Sequence, residues 1–95
     1  MRLITITGIE HYFGQEIFRP GQTLILKKDL DNSYDSEAIQ AELETGVKVG
    51  YVANSIHTVA RGSHSAGRIY EIINNRQPVK ILCILYNCVI AELDL

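Results

Sequence analysis

The stretch from Ile39 to Tyr51 constrains the fold more than any other part of the chain. Ile39, Ala41 and Leu43 alternate with Gln40, Glu42 and Glu44, Thr45-Gly46 turns the chain, and Val47, Val49 and Tyr51 then alternate with Lys48 and Gly50. Successive side chains of a strand point to opposite faces, so a period of two means one face in a core and the other in water. A glycine-containing turn between two such runs closes a β-hairpin. Apolar runs of strand length recur at 2–7 and 23–28, bounded by Gly8 and by Pro20-Gly21, and again at 79–86 and 89–93, with Tyr86-Asn87 as the bend. The near-continuous hydrophobicity of the last two runs predicts burial on both faces, or of one face under a helix.

The period changes between the hairpin and the last two runs. Ala66, Ile69, Ile72 and Ile73 recur at helical spacing, Ser63 or Ser65 can cap, and Pro78 forbids continuation, which predicts a helix over 65–75 and a shorter helical turn over 55–60. The expected class is therefore mainly β with two short helices. The expected architecture is a small six-stranded barrel, OB-like or SH3-like, with the helices inserted before the last two strands. Closure removes the free strand edges that so apolar a chain would otherwise expose.

Ninety-five residues leave room for one core, so a single domain over 1–95 is expected. Nine Lys and Arg against eleven Asp and Glu give a net charge of −2, which disfavours a protein that coats long duplexes by displacing counterions. A pocket gripping a few nucleotides is still open. The first strand is too short and polar for a signal segment, and no run approaches the roughly 20 apolar residues of a membrane span. Cys83 and Cys88 match neither a redox nor a zinc spacing and are read as buried thiols, so a cytoplasmic, reduced protein is expected. His11, His57 and His64 are too scattered for a metal site, and no cofactor is implied. Ser55 near His57 and Ser63 near His64 are neighbours in sequence only, without the third group a nucleophile needs, so no enzyme is expected.

Two segments carry recognition chemistry. Asp29 to Ser36 is rich in residues that bond to nearby backbone, which predicts an ordered loop. Within it Tyr34 is a large aromatic in the most polar part of the chain, suited to stacking or partner contact. Asn32 and Asp35 can cap the loop, and Tyr12 and Tyr51 can be strand tyrosines with only a polar tip in water. Arg61 and Arg68 flank Gly62-Ser63-His64-Ser65, so Arg61, Ser63, Ser65 and Arg68, with backbone N–H groups at a helix start, form a candidate phosphate patch beside the plain alternative of helix capping.

The strings Ile6-Thr7-Gly8-Ile9-Glu10-His11-Tyr12-Phe13-Gly14, Asn32-Ser33-Tyr34-Asp35-Ser36-Glu37-Ala38-Ile39 and Val49-Gly50-Tyr51-Val52 resemble the HIRAN domain in order and spacing. The continuation to Glu71 looks like its small stand-alone bacterial members. The resemblance implies a modified OB-like barrel that recognises the 3′ end of single-stranded DNA. It further implies His11 and Tyr12 at the rim, Tyr34 stacking a base, Asn32 and Asp35 receiving the terminal hydroxyl, and Tyr51 with the following turn, near Asn54, completing the groove. Two positions that are basic in DNA-binding members are held here by Glu10 and, approximately, Asn54. A protein-interaction module using the same aromatic groove or a strand edge is the alternative.

Overall fold

The computed structural model describes residues 2–94; Met1 and Leu95 lie outside the described residues. Six antiparallel strands, β1 (Arg2–Thr7), β2 (Thr23–Lys28), β3 (Ile39–Glu42), β4 (Lys48–Val52), β5 (Gln77–Ile84) and β6 (Val89–Leu93), close into a barrel in the order β1-β4-β3-β2-β5-β6. Each strand has two neighbours. The core is the inward row of each strand, including Ile4, Ile6, Leu24, Leu26, Ile39, Val49, Ile81 and Leu93, joined by Ile9, Phe18 and Ile69 from the connections. No helix among the described residues is long and apolar enough to cross a membrane.

The helical expectations are corrected. The helix α1 spans only Ala66–Ile69 and continues as turns in which Ile72 and Ile73 both donate to the Ile69 carbonyl. Asn74 N–H is then taken by the Gln77 side chain, which ends the helical path well before Pro78. Ala66, Ile69 and Ile73 are buried all the same, because the turns satisfy the spacing that suggested a longer helix. Residues 55–60 form a single turn, with Thr58 and Val59 N–H donating to the Ser55 carbonyl, rather than a helix. Ile9–His11 adds a 3-10 turn that the sequence reading did not anticipate.

Two strand expectations also change. β5 buries only alternate residues, Gln77, Val79 and Ile81, and exposes Pro78, Lys80 and Leu82, so its apolar run is not covered on both faces. A register shift between Ile81 and Cys83 against β6 leaves Cys83 exposed and Cys88 half-buried, so neither is a buried thiol. In the β3–β4 hairpin, Ala41 pairs with Gly50 but Glu42 pairs with Lys48, leaving Val49 as an extra residue. Such a bulge inverts the face on which the following side chains stand. Tyr51, apolar by alternation, therefore shares the outer face with its partner Gln40, while Val47 at the turn is exposed. Glu42 is buried instead of wet; its carboxylate accepts from Gln40 Nε2 and lies 3.8 Å from Arg76 Nη1.

The barrel closes where β1 crosses β4. A Cβ on Gly50 would stand 2.9 Å from both Ile6 Cγ2 and the Thr7 carbonyl oxygen, and 3.2 Å from Ile9 Cγ2. Backbone cannot yield there without breaking the β1–β4 pairing. Gly50→Ala should therefore lower stability by about 1–3 kcal/mol, the usual range for overpacking, read as a lower urea midpoint at unchanged slope; an unchanged midpoint would mean that the two strands do not approach this closely.

Candidate functional site

The loop joining β2 to β3 is held by its own polar side chains. Asn32 Oδ1 accepts from the N–H groups of Tyr34 and Asp35, both at 2.9 Å, and Asp35 Oδ1 accepts from Glu37 N–H at 2.9 Å. Asp29 N–H donates to the Ala38 carbonyl, which ties the two ends of the loop together. These are Asx-type turns, the local use expected of such residues before a strand. They fix the backbone under Tyr34 while leaving its ring 98% exposed. Asn32, Tyr34, Asp35, Tyr51 and Asn54 line one cleft of about 280 Å³.

Asn54 joins this cleft to a second one. Its Nδ2 donates to Asp35 Oδ2 at 3.0 Å and its Oδ1 accepts from Gly67 N–H at 2.8 Å, so one amide holds the loop and the start of α1 together. Ser65 occupies the cap position but makes no side-chain cap bond, and Ala66 N–H goes to the Ala53 carbonyl. The N–H groups of Ser63, His64, Ala66, Gly67 and Arg68 are thus already used within the fold. What remains for an anion is side-chain charge: Arg61 and Arg68 line the second cleft, of about 570 Å³, with Ser63, His64 and Ser65 and without a single carboxylate. Neither arginine has an acidic partner within 4 Å among the described residues. Asn54 and Ser55 line both clefts, so the two are contiguous.

The wall carrying Arg61 is fastened to β1 by a closed ring of hydrogen bonds. Ser63 Oγ donates to the Ala60 carbonyl at 2.7 Å, Ala60 N–H donates to Thr5 Oγ1 at 3.0 Å, and Thr5 Oγ1 lies 2.8 Å from Ser63 Oγ. Because each hydroxyl has one proton and that of Ser63 is spent on Ala60, Thr5 is the donor to Ser63. Ser63 is consequently a structural residue of the cleft, with its proton committed.

On the other side of the loop cleft, Tyr51 O–H donates to Asp29 Oδ2 at 2.7 Å and accepts from Lys48 Nζ at 3.0 Å. The Tyr51 bond holds the Asp29 carboxyl below its ordinary value and is also the main cause of the raised pKa of Lys48. Burial, chiefly, pushes the Tyr51 phenol up, so it is neutral and able to donate at neutral pH. The Tyr12 ring is 6.5 Å from that of Tyr51, tilted by 49°. His11 lies on the 3-10 turn with Nε2 at 3.5 Å from Glu10 Oε1; it lines neither cleft.

Of the residues singled out from sequence, Asn32, Tyr34, Asp35, Tyr51 and Asn54 meet in one cleft and Asn54, Arg61 and Arg68 in the next. Tyr12 borders the first through Tyr51, and His11 stands apart. Sequence reasoning missed Asp29, Lys48, Ser55 and His64. No signal in the alternation could have found Lys48, since residues three apart on a regular strand face opposite ways.

No curated protein matches the chain significantly. The structure is similar to the crystal structure of the HIRAN domain of human HLTF, with a TM-score of 0.68 at 18% identity over 94% of this chain and 69% of that one. It is also similar to a protein from Lactobacillus plantarum, with a TM-score of 0.61 at 15% identity over 100% of this chain and 94% of the other. At these identities the likeness concerns the fold. The HIRAN domain model matches residues 3–86, which span β1 to the β5–β6 bend and both clefts, and the chain belongs to the HIRAN domain family.

Proposed function

We propose that this domain binds nucleic acid by taking the 3′-hydroxyl end of single-stranded DNA in the cleft between Tyr34 and Tyr51. Membership of the HIRAN family supports nucleic-acid binding, and the finer reading rests on the site. The observation that carries it is an uncovered ring beside a held carboxylate: Tyr34 is 98% exposed on a backbone pinned by Asn32, and Asp35 beside it is oriented by Asn54 and Glu37 N–H. A strand end offers an open base face and a terminal hydroxyl, which a ring and a carboxylate address separately. Stacking on an aromatic contributes about 1–3 kcal/mol per base with little base preference. Two of the roughly four acceptor directions of the Asp35 carboxylate are in use, leaving room for a hydroxyl proton. The same charge repels a 3′-phosphate. Tyr12 and Tyr51 provide further stacking surface, and Arg61 or Arg68 supplies positive charge in the adjoining cleft. The domain acts by binding, without catalysis, cofactor or metal.

Protein contact is the second reading. Its support is the exposure of Phe13, Leu85 and Tyr86, the last of which lines, with Ile9 and Gln15, a separate cleft of about 400 Å³. Pulldown from nuclease-treated lysate separates the readings: a nucleic-acid reader loses its partners, and a peptide binder keeps them.

Fluorescence titration with oligonucleotides ending in 3′-hydroxyl or 3′-phosphate should show preference for the hydroxyl; equal affinity would sink the end-reading role. Tyr34→Ala should cost about 1–3 kcal/mol of binding with folding intact, because the ring packs on nothing in the fold, and unchanged affinity would move the site elsewhere. Asn54→Ala should cost on the order of 1 kcal/mol of stability and also reduce the discrimination between the two ends, since Asp35 loses its orienting donor. Full discrimination in that variant would show that Asp35 needs no support from Asn54.

A further inference from the structure

Lys48 is placed by the hairpin bulge in a setting that its structural bond alone does not explain. With Val49 as the extra residue, Lys48 and Tyr51 share the outer face, although a regular strand would turn them apart. The ammonium lies 5.0 Å from the centre of the Tyr51 ring and 5.9 Å from that of Tyr12, within cation–π range of both. It spends one N–H on the Tyr51 hydroxyl and has two left. No carboxylate lies within 4 Å of it among the described residues. Its register partner Glu42 is engaged by Gln40 and Arg76, and Asp29 is reached only through the Tyr51 hydroxyl. A half-buried cation held against two aromatic rings without an ion-pair partner is available to an external anion.

We propose that Lys48, with Tyr12 beside it, is a phosphodiester-binding point for the single strand, at the end of β4 opposite the Arg61–Arg68 cleft. This rests on the nucleic-acid reading above and extends it. β4 and its continuation run from Lys48 past Tyr51 to Asn54 and Ser55, a span of roughly 20 Å at the rise of an extended chain. The tyrosine cleft lies between the two cationic points. A strand whose terminal base stacks in that cleft and which leaves across Tyr51 and Tyr12 passes the Lys48 ammonium with its backbone. The raised pKa keeps Lys48 charged throughout the neutral range.

The test is the salt dependence of binding for a 3′-hydroxyl oligonucleotide, compared among wild type, Lys48→Met and Lys48→Arg. Each phosphate neutralised on a single strand contributes roughly 0.7 to the slope of log affinity against log salt. Lys48→Met should lower the slope by about that amount, and Lys48→Arg should keep it. A lysine that only positions Tyr51 would change affinity without changing the slope, so an unaltered slope in Lys48→Met overturns the proposal. Lys48→Gln gives the same comparison should the methionine variant fail to fold. Wild-type protein that binds no oligonucleotide at any salt overturns the functional reading itself, and this inference with it.

Discussion

Everything in this domain depends on how closely β1 can approach β4. β1 pairs with β6 from Arg2 to Ile6 but with β4 only through Ile6 and Thr7, so the barrel is closed by a short seam. That seam exists because Gly50 has no side chain where Ile6 and the Thr7 carbonyl come in. Closure gives every strand two neighbours and puts the inward rows into one dry core. It also carries β4 past β1 so that the chain emerges at Ala53, whose N–H bonds the Thr5 carbonyl, and at Asn54. The site begins where the seam ends.

The two clefts are consequences of side chains binding backbone across that junction. Asn54 bonds the β2–β3 loop on one side and the start of α1 on the other, so a displacement of either is felt by both. Thr5, Ser63 and Ala60 fasten the wall of the second cleft to β1 in the same way. Polar groups with the chemistry of ligands are thereby turned into scaffold, and what faces outward is a ring, a carboxylate and two guanidinium groups without an acidic partner among the described residues. The net charge of −2 conceals this arrangement. Carboxylates are absent from the lining of the second cleft, where the charged side chains are Arg61 and Arg68.

Strands were easier to read from the sequence than helices, for a definite reason. Alternation and glycine or proline punctuation mark a strand locally, and the six strands fall close to the expected spans. Ala66, Ile69, Ile72 and Ile73 have helical spacing, but a chain of turns with Ile69 accepting twice buries nearly the same residues, and periodicity cannot distinguish the two. The bulges were invisible altogether. One extra residue in β4 reverses the face of Tyr51 and brings Lys48 beside it, and the register shift in β5 leaves Cys83 exposed; neither has a composition of its own.

The β class, the ordered polar loop and the tyrosine that has no core to enter are legible in the order of residues, because each depends on contacts within a few positions of the chain. Family membership was legible too, since it is carried by short strings at fixed spacing. Tertiary structure alone decided which of those residues meet. Asn54 lies 19 residues from Asp35 and 13 from Gly67 in the chain, yet its one amide serves both. Lys48 and Tyr12 come together only when β4 is bulged and β1 has closed over Gly50. Hydrogen bonds within a loop can be inferred from neighbouring residues, whereas bonds and ring contacts between distant segments follow from how the barrel closes.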